Sequence, residues 1–222
     1  MPLLPTDADL LVIAIDGPAG SGKSTVARRL ADALDLEYLD TGAMYRSVTH
    51  AVLGRGIDPA AGDPVADVAR EVMIDLAPDG TVVVDGADVT ARIRGPEVSQ
   101  AVSIVAANPD VRSELVARQR EWTRKRGGGV LEGRDIGTVV FPRARLKIYL
   151  TASPRARAAR RARDEHTADE AAVAADLRRR DRLDSERSAD PLRPASDAFV
   201  LDTTDLSIDE VVERLVAAVG ER

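Results

Sequence analysis

Leu10-Leu11-Val12-Ile13-Ala14-Ile15-Asp16-Gly17-Pro18-Ala19-Gly20-Ser21-Gly22-Lys23-Ser24 is the stretch that decides the fold. Its first six residues form an unbroken apolar run, the pattern of a parallel strand buried on both faces. Glycines follow, and then Val26, Leu30, Ala33 and Leu34 recur at helical spacing. The order is strand, glycine-rich turn, helix. Gly17, Gly22, Lys23 and Ser24 satisfy G-x-x-x-x-G-K-[ST], the phosphate-binding P-loop pattern. Glycines let the backbone turn tightly, so that its N–H groups point at phosphate oxygens, and the helix adds its N-terminal dipole. Gly17, Pro18, Ala19, Gly20, Ser21, Gly22, Lys23, Ser24 and Thr25 are therefore the expected ATP-binding residues. Lys23 is expected at the β- and γ-phosphates, and the Ser24 hydroxyl on the Mg²⁺ that bridges them. The motif alone does not separate a kinase from a switch GTPase or a motor. Switch GTPases usually carry N-K-x-D, which is absent from this sequence.

Working outward, strands and helices alternate. Glu37-Tyr38-Leu39 reads as a second strand, followed by a helix through Met44, Val48 and Val52 that Gly54 and Gly56 stop. From Met73 to Thr90 the character changes to short strand-like runs separated by Asp79-Gly80 and Asp85-Gly86, both hairpin signals. Pro96 and Pro109 each open a helix, the second behind an Asn108 cap. Val130-Leu131-Glu132, Leu146 to Leu150 and Phe199-Val200-Leu201 read as further buried strands. Ser153-Pro154 opens an arginine-rich helix, and Ser207 with Glu210 makes a capping box for the last one. The expectation is an α/β fold: a parallel sheet flanked by helices, with a small antiparallel insert and an arginine-rich helical lid. Ligands of such sheets bind at the carboxyl ends of the strands.

The 222 residues suit one domain of this kind. With no cysteine there is neither a disulfide framework nor a thiolate metal site. No apolar run approaches the roughly 18 residues of a membrane span, and Met1 to Asp9 reads as a short loose tail. A soluble cytoplasmic protein, acting as a monomer, is expected. The net charge of −6 disfavours nucleic acid or an anionic membrane as partner. Yet Arg155, Arg157, Arg160, Arg161 and Arg163 fall within nine residues that contain no acid. A local arginine cluster on an acidic protein points to a compact anionic ligand. His50, His166 and Trp122 read as ordinary packing or surface residues.

Three segments resemble bacterial cytidylate kinases. Asp40-Thr41-Gly42-Ala43-Met44-Tyr45-Arg46 is similar to their D-[ST]-G-A-x-Y-R segment. Glu132-Gly133-Arg134-Asp135-Ile136-Gly137-Thr138-Val139-Val140-Phe141-Pro142 is similar to D-G-R-D-x-G-T-V-V-F-P, with Glu132 where the family often has Asp. Asp181 to Leu192, with Asp184, Arg187 and Pro191, resembles the region near their lid. The resemblance implies a nucleoside monophosphate kinase over 1–222: a core at about 10–60 and 96–222, a monophosphate-binding insert at about 61–95 and a lid at about 154–187. It implies phosphorylation of CMP and dCMP by ATP with Mg²⁺. Glu132 keeps the carboxylate but reaches one methylene further, which suits a contact with Mg²⁺ through water better than a direct one.

The residue chemistry leads the same way. An acceptor phosphate needs cations the triphosphate has not used, and Arg46 and Arg134 can bind it bidentately. Cytosine offers an N4 amino donor beside the N3 and O2 acceptors. By resemblance Asp135 accepts from the amino group and Arg112 and Ser103 donate. Thr41 contacts base or sugar, Arg180 and Asp184 hold the sugar hydroxyl, and Arg187 reaches phosphate. Arg157, Arg161 and Arg163 are candidates, not separable from sequence, for stabilising the transferring phosphoryl group alongside Lys23 and Arg134. Two other readings remain open: a P-loop kinase acting on UMP or a small metabolite, and a nucleotide-dependent switch protein.

Overall fold

The computed structural model describes residues 10–164, 167 and 169–220. The tail at 1–9 and His166 lie outside them. The chain opens with β1 (Leu11–Asp16), α1 (Lys23–Leu34), β2 (Tyr38–Asp40) and α2 (Thr41–Gly54). Next come α3 (Gly62–Glu71) and a small antiparallel sheet of β3 (Ile74–Leu76), β4 (Val82–Val84) and β5 (Ala87–Asp88). A single 3-10 turn, Arg92–Arg94, leads into α4 (Pro96–Val105), α5 (Pro109–Arg126) and β6 (Gly128–Gly133). A π-helical turn at Ile136–Val140 follows, then β7 (Leu146–Thr151), α6 (Pro154–Asp164), α7 (Glu170–Glu186), β8 (Phe199–Asp202) and α8 (Ile208–Gly220).

The main sheet has five strands in the order β2-β6-β1-β7-β8, all parallel. Its centre, β1, alternates its side chains between two cores, as a pleated strand must. Val12 and Ala14 pack with Leu39, Leu131 and Leu115 beneath α2, α3 and α5. Ile13 and Ile15 pack with Leu30, Ile148 and Leu215 beneath α1 and α8. Each of these fully buried Leu and Ile side chains contributes ~1.5–3 kcal/mol of transfer free energy. A third, small cluster joins Ala158, Ala162, Val173 and Leu177 of α6 and α7 to Ala19 of the P-loop.

Helix starts follow local chemistry. The Asp40 carboxylate accepts from the Ala43 N–H at 2.9 Å, and Asn108 Oδ1 accepts from Asp110 and Val111. At α8 the capping box forms in both directions: the Glu210 carboxylate accepts from Ser207 N–H, and the Ser207 hydroxyl accepts from Glu210 N–H. Two stretches differ from the sequence reading. The segment before the short strands contains α3, whose Val65, Val68 and Ala69 are buried in the main core. The arginine-rich stretch is two helices, α6 and α7, rather than one. In both places alanine and polar residues dominate, so periodicity marks the break weakly.

Register decides what faces the ligand side. Asp16 pairs with Gly133 across β1 and β6, and Asp40 pairs with Glu132 across β2 and β6. Three carboxylates, Asp16, Asp40 and Glu132, thus arrive side by side at the carboxyl ends of three adjacent strands.

Candidate active site

The P-loop leaves β1 at Gly17, whose φ is +148°, and a Cβ there would lie 2.1 Å from the Leu150 carbonyl oxygen of β7. No side chain fits between these two backbones. The loop ends at Gly22 (φ +87°), the N-cap of α1, which makes no side-chain capping bond. The first N–H groups of α1 therefore keep no protein side chain as acceptor, which suits an anion. Lys23 is buried, and its Nζ donates to the Pro18 carbonyl at 2.7 Å. Ser24 and Thr25, in the first turn of the helix, are exposed.

Beside the loop lies an open cleft. Ala19, Gly20, Lys23 and Ser24 line it from the P-loop. Thr41, Arg46, Ser103, Arg134 and Asp135 continue the wall with Glu132, and Arg161, Arg180, Asp184 and Arg187 close it from α6 and α7. Seven basic side chains (Lys23, Arg46, Arg94, Arg134, Arg161, Arg180, Arg187) face four carboxylates (Asp40, Glu132, Asp135, Asp184). A cleft with a surplus of three positive charges inside a chain of net charge −6 concentrates polyanions.

Several of these side chains are held. Arg46 NH1 donates to the Ile93 carbonyl at 3.1 Å and the Ser99 hydroxyl at 3.0 Å, tying α2 to the 3-10 turn and α4. Arg134 Nε pairs with Asp184 at 2.8 Å, linking the sheet edge to α7. The Thr41 hydroxyl donates to the Glu132 carbonyl at 2.6 Å. Arg112 lies behind the wall, paired with Asp135 on one arm and with Asp190 through Nε at 2.9 Å. Arg157 is a strut: NH1 donates to the Ala19 carbonyl at 3.1 Å and pairs with Asp181 at 2.6 Å. Arg163 is not brought to the cleft. It lies on the exposed side of α6, with Nε 3.4 Å from the Ala159 carbonyl. A helix of 3.6 residues per turn cannot aim 157, 161 and 163 in one direction.

The electrostatics are those of a site built for anions. Burial, with Arg134 beside it, pushes the Lys23 ammonium down to about 7, against the pull of Glu132 and Asp16. Burial and repulsion from Arg180 and Arg161 push Arg46 down to about 9. Burial and Arg134 push Arg180 down to about 10. Cations this poorly compensated by the protein gain most from a bound phosphate. Burial also raises the Glu132 carboxyl, and nearby Asp40 adds to the effect.

A model of the cytidylate kinase family matches residues 13–221 of the chain. The chain belongs to the cytidylate kinase family. It is 52% identical over 219 residues to a cytidylate kinase of Rhodococcus opacus, covering 96% of each chain. It is 51% identical over 220 residues to that of Mycobacterium avium, again over 96% of each. With the cytidylate kinase of Geobacillus kaustophilus it shares 50% over 218 residues. Among solved structures, a gluconokinase from Sinorhizobium meliloti superposes with a TM-score of 0.53 at 14% identity, covering 96% of this chain and 93% of that one. That likeness speaks for the fold alone.

Several residues of this cytidylate kinase family site escaped the sequence reading. Asp40 and Tyr45 line the cleft from within a quoted motif, and Arg94 lines it from the turn after the small sheet. Tyr38 donates its hydroxyl to the Glu132 carboxylate, meeting the longer arm of Glu132 from the neighbouring strand. Only the β2–β6 register brings these two together. Asp16 precedes the first motif glycine, and its carboxylate accepts from the Ile136 and Gly137 N–H groups, both at 2.8 Å. It thereby bolts the P-loop strand to the turn that follows Asp135.

Asp16 carries a pH dependence. Burial is the main cause that lifts its carboxyl from 3.8 to about 6; the two N–H bonds and Lys23 lower it, and Asp135 raises it. The folded value lies above the unfolded one, so the folded state binds the proton more tightly. The resulting stability is fully present below about pH 4 and is lost as pH rises through about 6, on the order of 3 kcal/mol in all. Melting curves between pH 4 and 7 should show the wild type losing stability relative to D16N as pH rises to about 6, and no further relative change above it. Parallel curves for the two proteins would refute the assignment.

Proposed function

We propose that the chain transfers the γ-phosphoryl group of ATP to the 5′-phosphate of CMP or dCMP, giving the diphosphate and ADP. The observation that carries this reading is that one cleft is lined both by a P-loop with Lys23 and by Arg46, Arg134 and Asp135. Asp135 forms a buried pair with Arg112 that suits a cytosine edge. The relatives that share half its residues are named for this activity.

An oxygen of the acceptor phosphate attacks the γ-phosphorus in line, the bond to the β–γ bridging oxygen breaks, and ADP leaves. The acceptor is already an anion, so no strong base is required. Lys23 and the P-loop amides hold the donor, and Arg46 and Arg134 hold the acceptor. Arg161 and Arg180 offset charge on the transferring group. Asp184 fixes Arg134 and stands at the sugar, with Arg187 on the same wall. Arg157 sets the height of the P-loop through the Ala19 carbonyl rather than touching phosphate.

The donor set also fits a hard cation. Ser24, exposed at the cleft, and the buried Glu132 offer only oxygen, and they are close enough to hydrogen-bond each other. No cluster of three acidic or imidazole ligands exists among the described residues. That suits Mg²⁺, which keeps several waters and takes its other ligands from phosphate. When bound it would neutralise charge on the β- and γ-phosphates.

Residues 154–187 act as the lid and 61–95 as the monophosphate-binding segment. The lid meets the P-loop through a small apolar cluster around Ala19 and through Arg157 at the Ala19 carbonyl. The chain acts as a monomer in this reading. No described helix is long and apolar enough to cross a membrane. With ATP and a nucleoside monophosphate as substrates, the cytoplasm is the natural place for the reaction.

ADP release measured with CMP, dCMP, UMP and AMP in turn tests the reading. CMP and dCMP should be turned over, with UMP lower in kcat/KM by about ten- to a hundredfold, since its O4 meets a carboxylate. If ATP and Mg²⁺ yield no CDP from CMP, the proposal fails.

A further inference from the structure

Asp190 lies on the loop after α7, four residues beyond its end at Glu186, and it is not among the residues lining the cleft. It grips both arginines that approach Asp135. Its carboxylate Oδ2 takes the Nε–H of Arg112 at 2.9 Å, and its backbone carbonyl accepts from Arg187 through Nε at 2.8 Å and NH2 at 2.5 Å. Arg187 NH2 in turn stands 3.6 Å from Asp135 Oδ1, while Arg112 NH2 pairs with Asp135 Oδ2. Arg112 is thereby committed on three sides, because NH1 reaches the Tyr45 hydroxyl at 3.4 Å. Its guanidinium also stands 5.9 Å from the centre of the Tyr45 ring. Burial works against its charge, yet Tyr45, Asp135 and Asp190 together hold the guanidinium above its ordinary value.

The backbone confirms that the position is a demanding one. Asp190 has φ +50°, a left-handed conformation that few residues other than glycine, asparagine and aspartate adopt readily. That turn lets its side chain and its carbonyl serve two different arginines. Without Asp190, two arginines would face one carboxylate, and Nε of Arg112 would be a spare donor.

We propose that Asp190 is a positioning residue for base recognition. It balances the second arginine and fixes the angle at which Arg112 holds Asp135, so that the Asp135 carboxylate stays an acceptor for the exocyclic amino group of the base. This rests on the base-reading role of Asp135 and Arg112 given above. A freed Nε would offer a donor to a carbonyl oxygen, so losing the Asp190 carboxylate favours uracil as well as weakening cytosine.

The variant D190G suits the left-handed φ and keeps the carbonyl that holds Arg187, removing only the carboxylate. It should raise the KM for CMP about tenfold and cut the CMP-over-UMP ratio of kcat/KM about tenfold, because one charge-assisted hydrogen bond is lost. The KM for ATP should hold. D190N, which keeps an oxygen acceptor for Arg112, should recover part of both losses. Wild-type selectivity in D190G, or an ATP KM that rises with the CMP KM, overturns the role. D135N measured alongside separates the two ideas. Lost selectivity there with none lost in D190G removes Asp190 alone, whereas unchanged selectivity in D135N removes the base-reading beneath it.

Discussion

Lys23→Met should lower kcat for CMP phosphorylation about a thousandfold, the scale seen when a preorganised cation or donor is removed from a developing negative charge. The KM for CMP should stay within about threefold, because in this reading Lys23 acts on the donor phosphates while Arg46 and Arg134 hold the acceptor. Stability should move the opposite way from activity. The ammonium is buried, pushed down to about 7, and faces Arg134 with only partial compensation from Glu132 and Asp16. Its replacement by an apolar side chain of similar length removes that desolvation cost, so Tm should hold or rise. Steady-state kinetics and a thermal melt on one preparation check both parts. Retention of more than a tenth of wild-type kcat would sink the assignment, and a fall of both kcat and Tm would mean that the lysine is structural.

Asp135→Asn should cost CMP about a hundredfold in kcat/KM while UMP loses far less or gains. Asp135 is buried, paired with Arg112 and approached by Arg187, and an amide of the same shape keeps one acceptor but turns the other arm into a donor. That donor faces the N4 amino group of cytosine badly and the O4 of uracil well, a difference of ~1–3 kcal/mol for each mispaired buried group. ATP affinity, read by fluorescence or calorimetry without acceptor, should be unchanged. The substitution also leaves Arg112 with Asp190 as its one remaining charged partner, so a lower Tm is expected. Equal loss for CMP and UMP would show that the carboxylate supports the fold rather than reading the base.

These two outcomes concern two parts of one cleft, the P-loop and the Asp135–Arg112 pair. Asp16, Asp40 and Glu132 leave adjacent strands in register, so the P-loop, the 40–46 segment and Glu132 meet at the carboxyl ends of the strands. Helices α6 and α7 close that edge through side chains, Arg157 to Ala19 and Asp184 to Arg134, over a small apolar contact.

Much of this was legible in the residues. A continuous apolar run before glycines, and the spacing of Gly17, Gly22, Lys23 and Ser24, fixed a strand, a turn and a helix through local sterics alone. Caps at Asn108 and Ser207 did the same for two later helices, because a capping bond spans only a few residues. The resemblance of 40–46, 132–142 and 181–192 to one family supplied the candidates for the acceptor site. What the linear order could not supply was pairing across distance. Tyr38 meets Glu132 only because two strands are in register, Asp16 reaches the 136–137 amides only through packing, and Asp190 finds Arg112 from 78 positions away. Whether Arg157, Arg161 or Arg163 faces the cleft was likewise undecidable by pattern, since all three sit on a helix with little apolar periodicity. Helix packing against Ala19 settled their directions, because a side chain's surroundings come from residues remote in sequence and only the folded chain brings them near.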